Sequence, residues 1–273
     1  MKELVSVLIC TYKEPVEWVQ QSFYSILNQT YDNIEIIIVV DDPGNFEVIS
    51  FFQYILGKYN NVKVIINNIN QGLVSSLNKG LRYCKGKYIA RMDADDISLN
   101  DRIEQQVNYL KINNYDLIGT IVQPFNYNGE MKPWSTCCTD YFIKKMLRIE
   151  GCIAHPSWLG KKSVFDDMHG YRNIEACEDY DFLVRASLAG YRLGNIPKVL
   201  LKYRINENGI SKTKLDIQMT NAYSIGRAYS QKAIMPLDSV PKKPYKYYLY
   251  RFLRKAWRKI LILSDTLVLS NRN

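Results

Sequence analysis

The chain has 273 residues, 47% of them hydrophobic and 23% charged, which suits one large α/β domain, alone or with a tail, and excludes a disordered or fibrous protein. The formal net charge of +9 is uneven: residues 235–273 carry +7 and the remainder about +2, so basicity belongs to the tail and not to the fold as a whole. Six cysteines without a Cys-x-x-Cys pair, beside only two histidines, argue against zinc and for free buried thiols in a reducing compartment. The apolar run Leu4–Ile9 is too short for a signal-peptide core, and no stretch reaches the length of a membrane span.

The first third alternates strands and helices. Leu4–Cys10 reads as a buried strand, and Pro15 opens a helical pattern through Trp18, Val19, Phe23, Ile26 and Leu27. Ile34–Val40 and Val62–Ile66 are further apolar strands, with a helix over Phe46–Leu56 between them. A helix over Gly72–Tyr83 precedes a fourth strand, Lys87–Met92. Fully apolar strands separated by helices predict a parallel sheet covered on both faces. A helix at Asn100–Lys111 and a strand at Tyr115–Val122 follow. Residues 123–170 are interrupted by prolines and glycines. The acidic run Glu178-Asp179-Tyr180-Asp181 then leads into a helix, Phe182–Ala189, and a last strand, Ile196–Arg204.

Ligands of open parallel sheets bind beyond the carboxyl ends of the strands. Three strand ends carry chemistry. Thr11-Tyr12-Lys13-Glu14 offers hydroxyls, a ring that can stack on a base, and a carboxylate. Asp41-Asp42 can accept from a base N–H or a ribose hydroxyl, and equally suits a plain turn before Pro43-Gly44. Asp93-Ala94-Asp95-Asp96 offers oxygen ligands for a hard divalent cation that also holds substrate phosphate, or a helix cap by Asp96 or Ser98. Asn70-Gln71-Gly72 at a helix start allows close backbone approach by phosphate, with Lys79 one face along that helix.

The order of these motifs resembles family 2 glycosyltransferases. The match runs through Val5–Tyr12, Ser25–Tyr31, Val39–Asp42, Asn70–Leu73, Leu77–Gly80 and Gly86–Asp96. It continues at His155-Pro156-Ser157, Gly170-Tyr171-Arg172 and Glu178–Phe182, covering roughly residues 3–212. The resemblance implies a GT-A fold: a mixed, mostly parallel sheet flanked by helices over residues 1–212, with a nucleotide-binding half (1–96) and an acceptor-binding half (97–212). It implies an inverting, nucleotide-sugar-dependent enzyme. Thr11, Tyr12, Glu14, Asp42, Asn70, Gly72, Lys79, Asp93 and Arg204 would serve the donor, most often a UDP-sugar. Asp95 with Asp93 would hold Mn²⁺ or Mg²⁺. Asp179 would be the general base, with Glu178 and Asp181 as fallbacks, and His155 and Trp158 would lie on the acceptor side. Two positions depart from the family pattern: Pro43-Gly44 follows Asp42 where Gly-Ser is frequent, and Asn206 stands where a histidine often follows Tyr203-Arg204. The Gln-x-x-Arg-Trp motif of processive synthases is absent, which favours single addition. A nucleotidyltransferase and a non-catalytic sugar- or nucleotide-binding module are the alternatives; the first calls for a Gly-rich basic loop after the first strand, which Thr11–Glu14 is not.

The remaining 213–273 form an expected helical extension. Residues 242–259 hold eight basic residues and no acidic one, with aromatics between them and apolar residues at near-helical spacing up to Leu263. This pattern suits an anionic membrane interface over 242–263; the alternative is a helix packed on the domain or on a second copy, and nucleic acid is not an expected partner. The expected setting is cytoplasmic and peripheral on the inner face of the cell membrane, acting on a glycan acceptor carried on polyprenyl diphosphate, with a homodimer as one possible assembly.

Overall fold

The computed structural model describes residues 2–206, 209, 213–237 and 247–270, with side chains from 253 onward in the last segment. Parallel strands β1 (Val5–Thr11), β2 (Ile34–Val40), β3 (Val62–Ile66) and β4 (Tyr88–Asp93) alternate with helices α1 (Val16–Leu27), α2 (Phe46–Leu56) and α3 (Leu73–Leu81). The short β5 (Ile97–Ser98) and α4 (Arg102–Ile112) lead to β6 (Leu117–Asn126), the two-residue β7 (Gly129–Glu130) and α5 (Asp140–Met146). A single 3-10 turn (His155–Ser157), β8 (Leu159–Lys161) and α6 (Lys162–Asp167) precede α7 (Glu178–Leu188) and β9 (Leu193–Arg204). Two helices, α8 (Leu215–Ser230) and α9 (Tyr247–Ser270), close the chain.

The sheet runs β3-β2-β1-β4-β8-β6-β9-β5, with β7 paired to β6. The β1–β4 part is all parallel, β8 enters antiparallel between β4 and β6, and β9 returns parallel to β6. The register of β6 with β9 slips between Thr120 and Ile121, opposite the segment holding Pro197, which has no N–H for the ladder. All seven residues of β1 are buried because both faces are covered. Val5, Val7 and Ile9 pack with Phe23 of α1 and Phe52 of α2. Leu8 and Cys10 point the other way, into a core with Leu77, Trp158 and Phe182. The sequence expectation of a doubly covered parallel sheet therefore holds, as does that of free thiols: all six cysteines are unpaired and five are buried.

The structure differs from the sequence reading in several places, among them β9, which starts at Leu193 and not at Ile196. The α7 helix takes up Glu178, Asp179 and Asp181 as its first turn, where carboxylates face the positive helix end. Strand β6 extends to Asn126, through Pro124, because β7 folds back on its end. Ser98 enters the short strand β5, and Asp96 caps no helix.

The α9 helix docks on the domain. Leu261 and Asp265 are buried, and Asp265 Oδ2 accepts from the amides of Cys138 and Thr139 while Oδ1 accepts from the Thr139 hydroxyl. Asp265 thus fastens α9 to the backbone just before α5. Arg254 and Arg258 reach Glu150 from the same face of the helix, with Arg254 Nη2 2.6 Å and Arg258 Nε 3.0 Å from its carboxylate. Leu253, Trp257, Ile260, Leu263 and Leu267 line a neighbouring stripe and are each about half exposed or more. Among the described residues no helix is long and apolar enough to cross a membrane. Much of the predicted basic run, residues 242–246 in full and the side chains of 247–252, lies outside the described residues.

Candidate active site

The carboxyl ends of β1, β2, β3 and β4 open on one crevice, and each contributes a polar anchor. After β1 the chain turns at Lys13, with φ of 65°, so that Glu14 folds back. Its carboxylate accepts from the Thr11 hydroxyl at 2.7 Å and from the Tyr12 amide at 2.5 Å. Burial raises the Glu14 pKa, and these bonds oppose the rise. The loop leaves the Tyr12 ring 41% exposed, open to stacking.

After β2 the two aspartates have separate fates. Asp41 is buried: its Oδ1 accepts from Asn67 Nδ2 at 2.6 Å and from the Gln71 amide at 2.8 Å, and its Oδ2 from the Gly72 amide at 2.8 Å. It ties the loop before α3 to the sheet. Asp42 stays partly exposed and accepts from the Gly44 amide in its own turn. Asn70 Oδ1 shares the Gly72 amide, and Gly72 has φ of 82° with open space where a Cβ would lie. That backbone needs glycine, and it leaves the start of α3 uncovered on its outer side. Lys79 donates to Asn67 Oδ1 at 2.7 Å, which anchors its ammonium at the end of β3.

At the end of β4 the side-chain oxygens of Asp93, Asp95 and Asp96 lie within 4.8 Å of one another. Burial, then Asp93 and Glu14, push Asp95 up to about 7. Asp96 is fully buried; burial and then Asp93 and Asp95 raise its pKa well above the carboxylate range. Its Oδ1 accepts from the Arg204 amide at 2.7 Å, and its Oδ2 is buried with no hydrogen-bond partner among the described residues. Three crowded carboxylates, one with an orphaned oxygen, form an all-oxygen set of the kind that suits Mg²⁺ or Mn²⁺. Asp96 thus lies with Asp93 and Asp95 in a cluster that could hold a metal, and the adjacent Asp95-Asp96 pair is its signal in the sequence.

Arg204 donates from Nε to the Asp95 carbonyl at 2.7 Å and from Nη2 to Gln21 at 2.7 Å, with its guanidinium over Trp18 and Phe125. It braces the acidic turn, and burial lowers its pKa.

Beneath the crevice runs Arg91, on the same side of β4 as Asp93 and almost wholly buried. It touches the Asp93 carboxylate. Burial alone would weaken its charge, but the Asp93 carboxylate in contact with it more than compensates, so Arg91 remains a guanidinium. The charges of Arg91 and Asp93 also act on Glu178 and Asp179 at the start of α7. Glu178 is pushed up to about 7 by burial and then by Asp179, and burial also raises Asp179. Asp179 Oδ1 accepts from the Tyr180 amide at 2.6 Å.

Two sequence expectations need correction. Asp181, a fallback base, is 1% exposed and held between Arg172 and Arg185, each 2.9 Å or less from its carboxylate, so it serves the fold and faces no substrate. Trp158 is wholly buried: its ring packs on His155, Tyr171 and Phe182, and its Nε1 donates to the Ile153 carbonyl at 3.0 Å. It has no free face for a sugar, because the turn at His155–Ser157 folds it inward against α7. His155 is buried as well, 2.9 Å from the Tyr171 hydroxyl, and burial and Arg91 keep it neutral. The more exposed Trp134 leans on Tyr203 at the edge of the sheet. The residues that sequence reasoning missed are Asn67 and Arg91, whose burial and partners reveal their anchoring roles, while Asp41, offered with Asp42 for the nucleotide, is spent on anchoring the loop.

Comparison with known proteins accords with this arrangement. The model of Glycosyl transferase family 2 matches residues 6–168. The O-antigen biosynthesis glycosyltransferase WbnJ of Escherichia coli is 32% identical over 234 residues, covering 85% of this chain and 91% of WbnJ. Among solved structures, the mannosyltransferase PcManGT from Pyrobaculum calidifontis in complex with GDP-Man and Mn²⁺ superposes with a TM-score of 0.62 at 16% identity, over 100% of this chain and 76% of that one. S. aureus TarS 1-349 in complex with UDP-GlcNAc gives 0.61 at 16% identity, over 93% of this chain and 66% of that one. These neighbours share the GT-A fold, and the nucleotidyltransferase and non-catalytic alternatives fall away. The chain belongs to glycosyl transferase family 2 and is a glycosyltransferase.

Proposed function

We propose that the chain transfers one sugar, with inversion, from a nucleotide-sugar, a UDP-sugar first among them, to a hydroxyl of a glycan acceptor carried on a lipid diphosphate. The observation that carries the reading is the crowding of Asp93, Asp95 and Asp96 at the end of β4, with Arg91 and Asp93 acting electrostatically on Glu178 and Asp179 as well. The proposed donor groups are Thr11, Tyr12, Glu14, Asp42, Asn70, Gly72, Lys79 and Arg204. Tyr12 stacks on the base, Asp42 accepts from it, and the open start of α3 at Gly72 receives phosphate. A divalent cation held by Asp93 and Asp95, with Asp96 beside them, would neutralise the charge that grows on the departing diphosphate. The neighbours crystallised with UDP-GlcNAc and with GDP-Man and Mn²⁺ support a nucleotide-sugar and a metal in this crevice.

In the reaction the acceptor oxygen bonds to the anomeric carbon from the face opposite the diphosphate, and the bond from that carbon to the diphosphate oxygen breaks. The hydroxyl proton passes to the carboxylate of Asp179, with Glu178 adjoining it. His155 stays neutral and, with Tyr171, supports the floor. The similarity to an O-antigen enzyme supports a cell-surface polysaccharide as the product. The exposed stripe of α9 from Leu253 to Leu267 supports a peripheral seat on an anionic membrane, where a lipid-linked acceptor resides.

The test is a screen of nucleotide-sugars for Mn²⁺-dependent slow hydrolysis by the purified chain. Asp95→Ala is expected to lower that hydrolysis by about a thousandfold, from lost stabilisation of the leaving group. Hydrolysis that continues at an undiminished rate in Asp95→Ala, or without metal, overturns the reading.

A further inference from the structure

A cleft of about 340 Å³ opens between the start of α7, α8 and α9, and it has Asp179 on its wall. Its opposite wall is Arg254, Lys255 and Arg258 of α9, with Glu150 between. Glu150 is one carboxylate shared by two guanidiniums, and Lys255 makes no ion pair among the described residues. Against Glu150 and Asp179, the three cations leave this end of the cleft positive.

The surplus is not needed to fasten the helix. Leu261 and Asp265 already anchor α9 on α5, and a single arginine would satisfy Glu150. Two guanidiniums and an ammonium converging on a cleft match the several oxygens of a phosphate or diphosphate. The position next to this cationic stripe matters too. Leu253 and Trp257 alternate with Arg254 and Arg258 along the helix, and both are about half exposed. An amphiphile with a sugar at one end, a phosphate in the middle and an apolar chain at the other would meet Asp179, the cationic wall and this apolar stripe in that order.

We infer that the cleft between Asp179 and the Arg254–Lys255–Arg258 wall of α9 is the binding site for the phosphate or diphosphate of the acceptor, whose apolar chain leaves along Leu253 and Trp257. The inference rests on the proposed reading of Asp179 as the base. It makes α9 part of the acceptor site and not only a membrane foot. It also assigns Lys255 the selection of anionic over neutral acceptors.

The probe is farnesyl diphosphate, titrated calorimetrically into the full chain in the presence of EDTA, so that no metal recruits it to the donor crevice. Farnesyl diphosphate is expected to bind about tenfold or more tightly than farnesol. Lys255→Gln should weaken it about tenfold, whereas Glu150→Gln, which releases both guanidiniums, should tighten it by a similar factor. A thermal melt of each variant confirms that it is folded. The opposite signs of the two variants separate anion binding from a general loss of structure. Asp95→Ala, which disables the donor crevice, should bind farnesyl diphosphate as the unmodified chain does, so the acceptor site and the donor reading fail separately. Equal binding of farnesol and farnesyl diphosphate, indifference to both substitutions, or loss of binding in Asp95→Ala overturns the inference. Phosphatidylcholine vesicles with and without phosphatidylglycerol supply the second arm. If Lys255→Gln lowers partition onto the anionic vesicles but leaves farnesyl diphosphate binding intact, the cations serve bilayer headgroups and the acceptor site is refuted.

Discussion

The wall from β1 to β4 and the wall formed by α7, α8 and α9, which the proposed function assigns to donor and acceptor, are assembled differently. The first takes its polar groups from four neighbouring strand ends, and most of its loops are tied by short-range or adjacent-strand bonds, Thr11 to Glu14, Asp41 to Asn67 and to the amides of Gln71 and Gly72, although the acidic turn after β4 also leans on distant Arg204. The second takes them from segments far apart in the chain. Asp265 reaches back 126 residues to Thr139, and Arg254 reaches 104 residues to Glu150. A strand end fixes a side chain through the ladder beneath it. A helix docked by a few polar contacts fixes one only as long as the dock holds. The first wall is therefore the rigid half of the crevice, and the second is the half whose geometry substitutions can loosen.

The largest expected effect lies at the junction of the walls. Asp179→Asn should lower transfer about 10²- to 10⁴-fold while calorimetric binding of the donor is unchanged, because the base acts on the acceptor alone. Loss of donor binding as well would show that the two walls do not divide the work in this way. Next is Asp181→Ala, which leaves Arg172 and Arg185 without their shared buried carboxylate. It should cost about 3–5 kcal/mol in urea unfolding. A fully stable Asp181→Ala variant with lost transfer would return Asp181 to the list of candidate bases.

Asp265→Ala sharpens the contrast directly. It removes the acceptor for two amides at the start of α5 and should cost about 1–3 kcal/mol. Hydrogen exchange should quicken at Cys138, Thr139 and along α9, and stay slow in β1 and β4. Exchange that quickens equally in both walls would mean that they unfold as one unit.

The smallest expected effect is in pH dependence. In the folded chain Glu178 titrates at about 7, above its ordinary 4.5, because of burial and then Asp179; Asp179 is raised as well. The folded state therefore holds protons that the unfolded chain has already released, and this pair's contribution to stability falls as pH climbs from about 4.5 to about 7. Transfer should rise over the upper part of that window, with an apparent midpoint near 7 that belongs to the pair. A rate that is flat from pH 5 to 8 would remove Glu178 and Asp179 from the proton path.

The strands and helices of the first wall were legible in the sequence because their signals are local. Continuous apolar runs such as Ile34–Val40 can only be buried on both faces, and Asp93-Ala94-Asp95-Asp96 sits where the last of them ends. The α7 boundary was misplaced since carboxylates before an apolar run read equally as a cap or as a first turn. The roles of Asp41 and Asp42 were inseparable on paper: two adjacent aspartates differ only in which one the strand turns inward. Trp158 looked as suited to a sugar as to a core until the turn at His155 folded it against Phe182.

Composition, period and motif order by themselves determined the doubly covered sheet, the acid cluster after β4 and the family. Only the tertiary structure decided that Asp181 is locked between two arginines, that Asp265 binds the backbone before a helix it never neighbours in sequence, and that Arg254, Lys255 and Arg258 share a cleft with Asp179. The reason is physical. Periodicity records which side of an element is buried, whereas the partner of a buried charge or a docked helix is chosen by packing between elements whose separation the sequence does not encode locally.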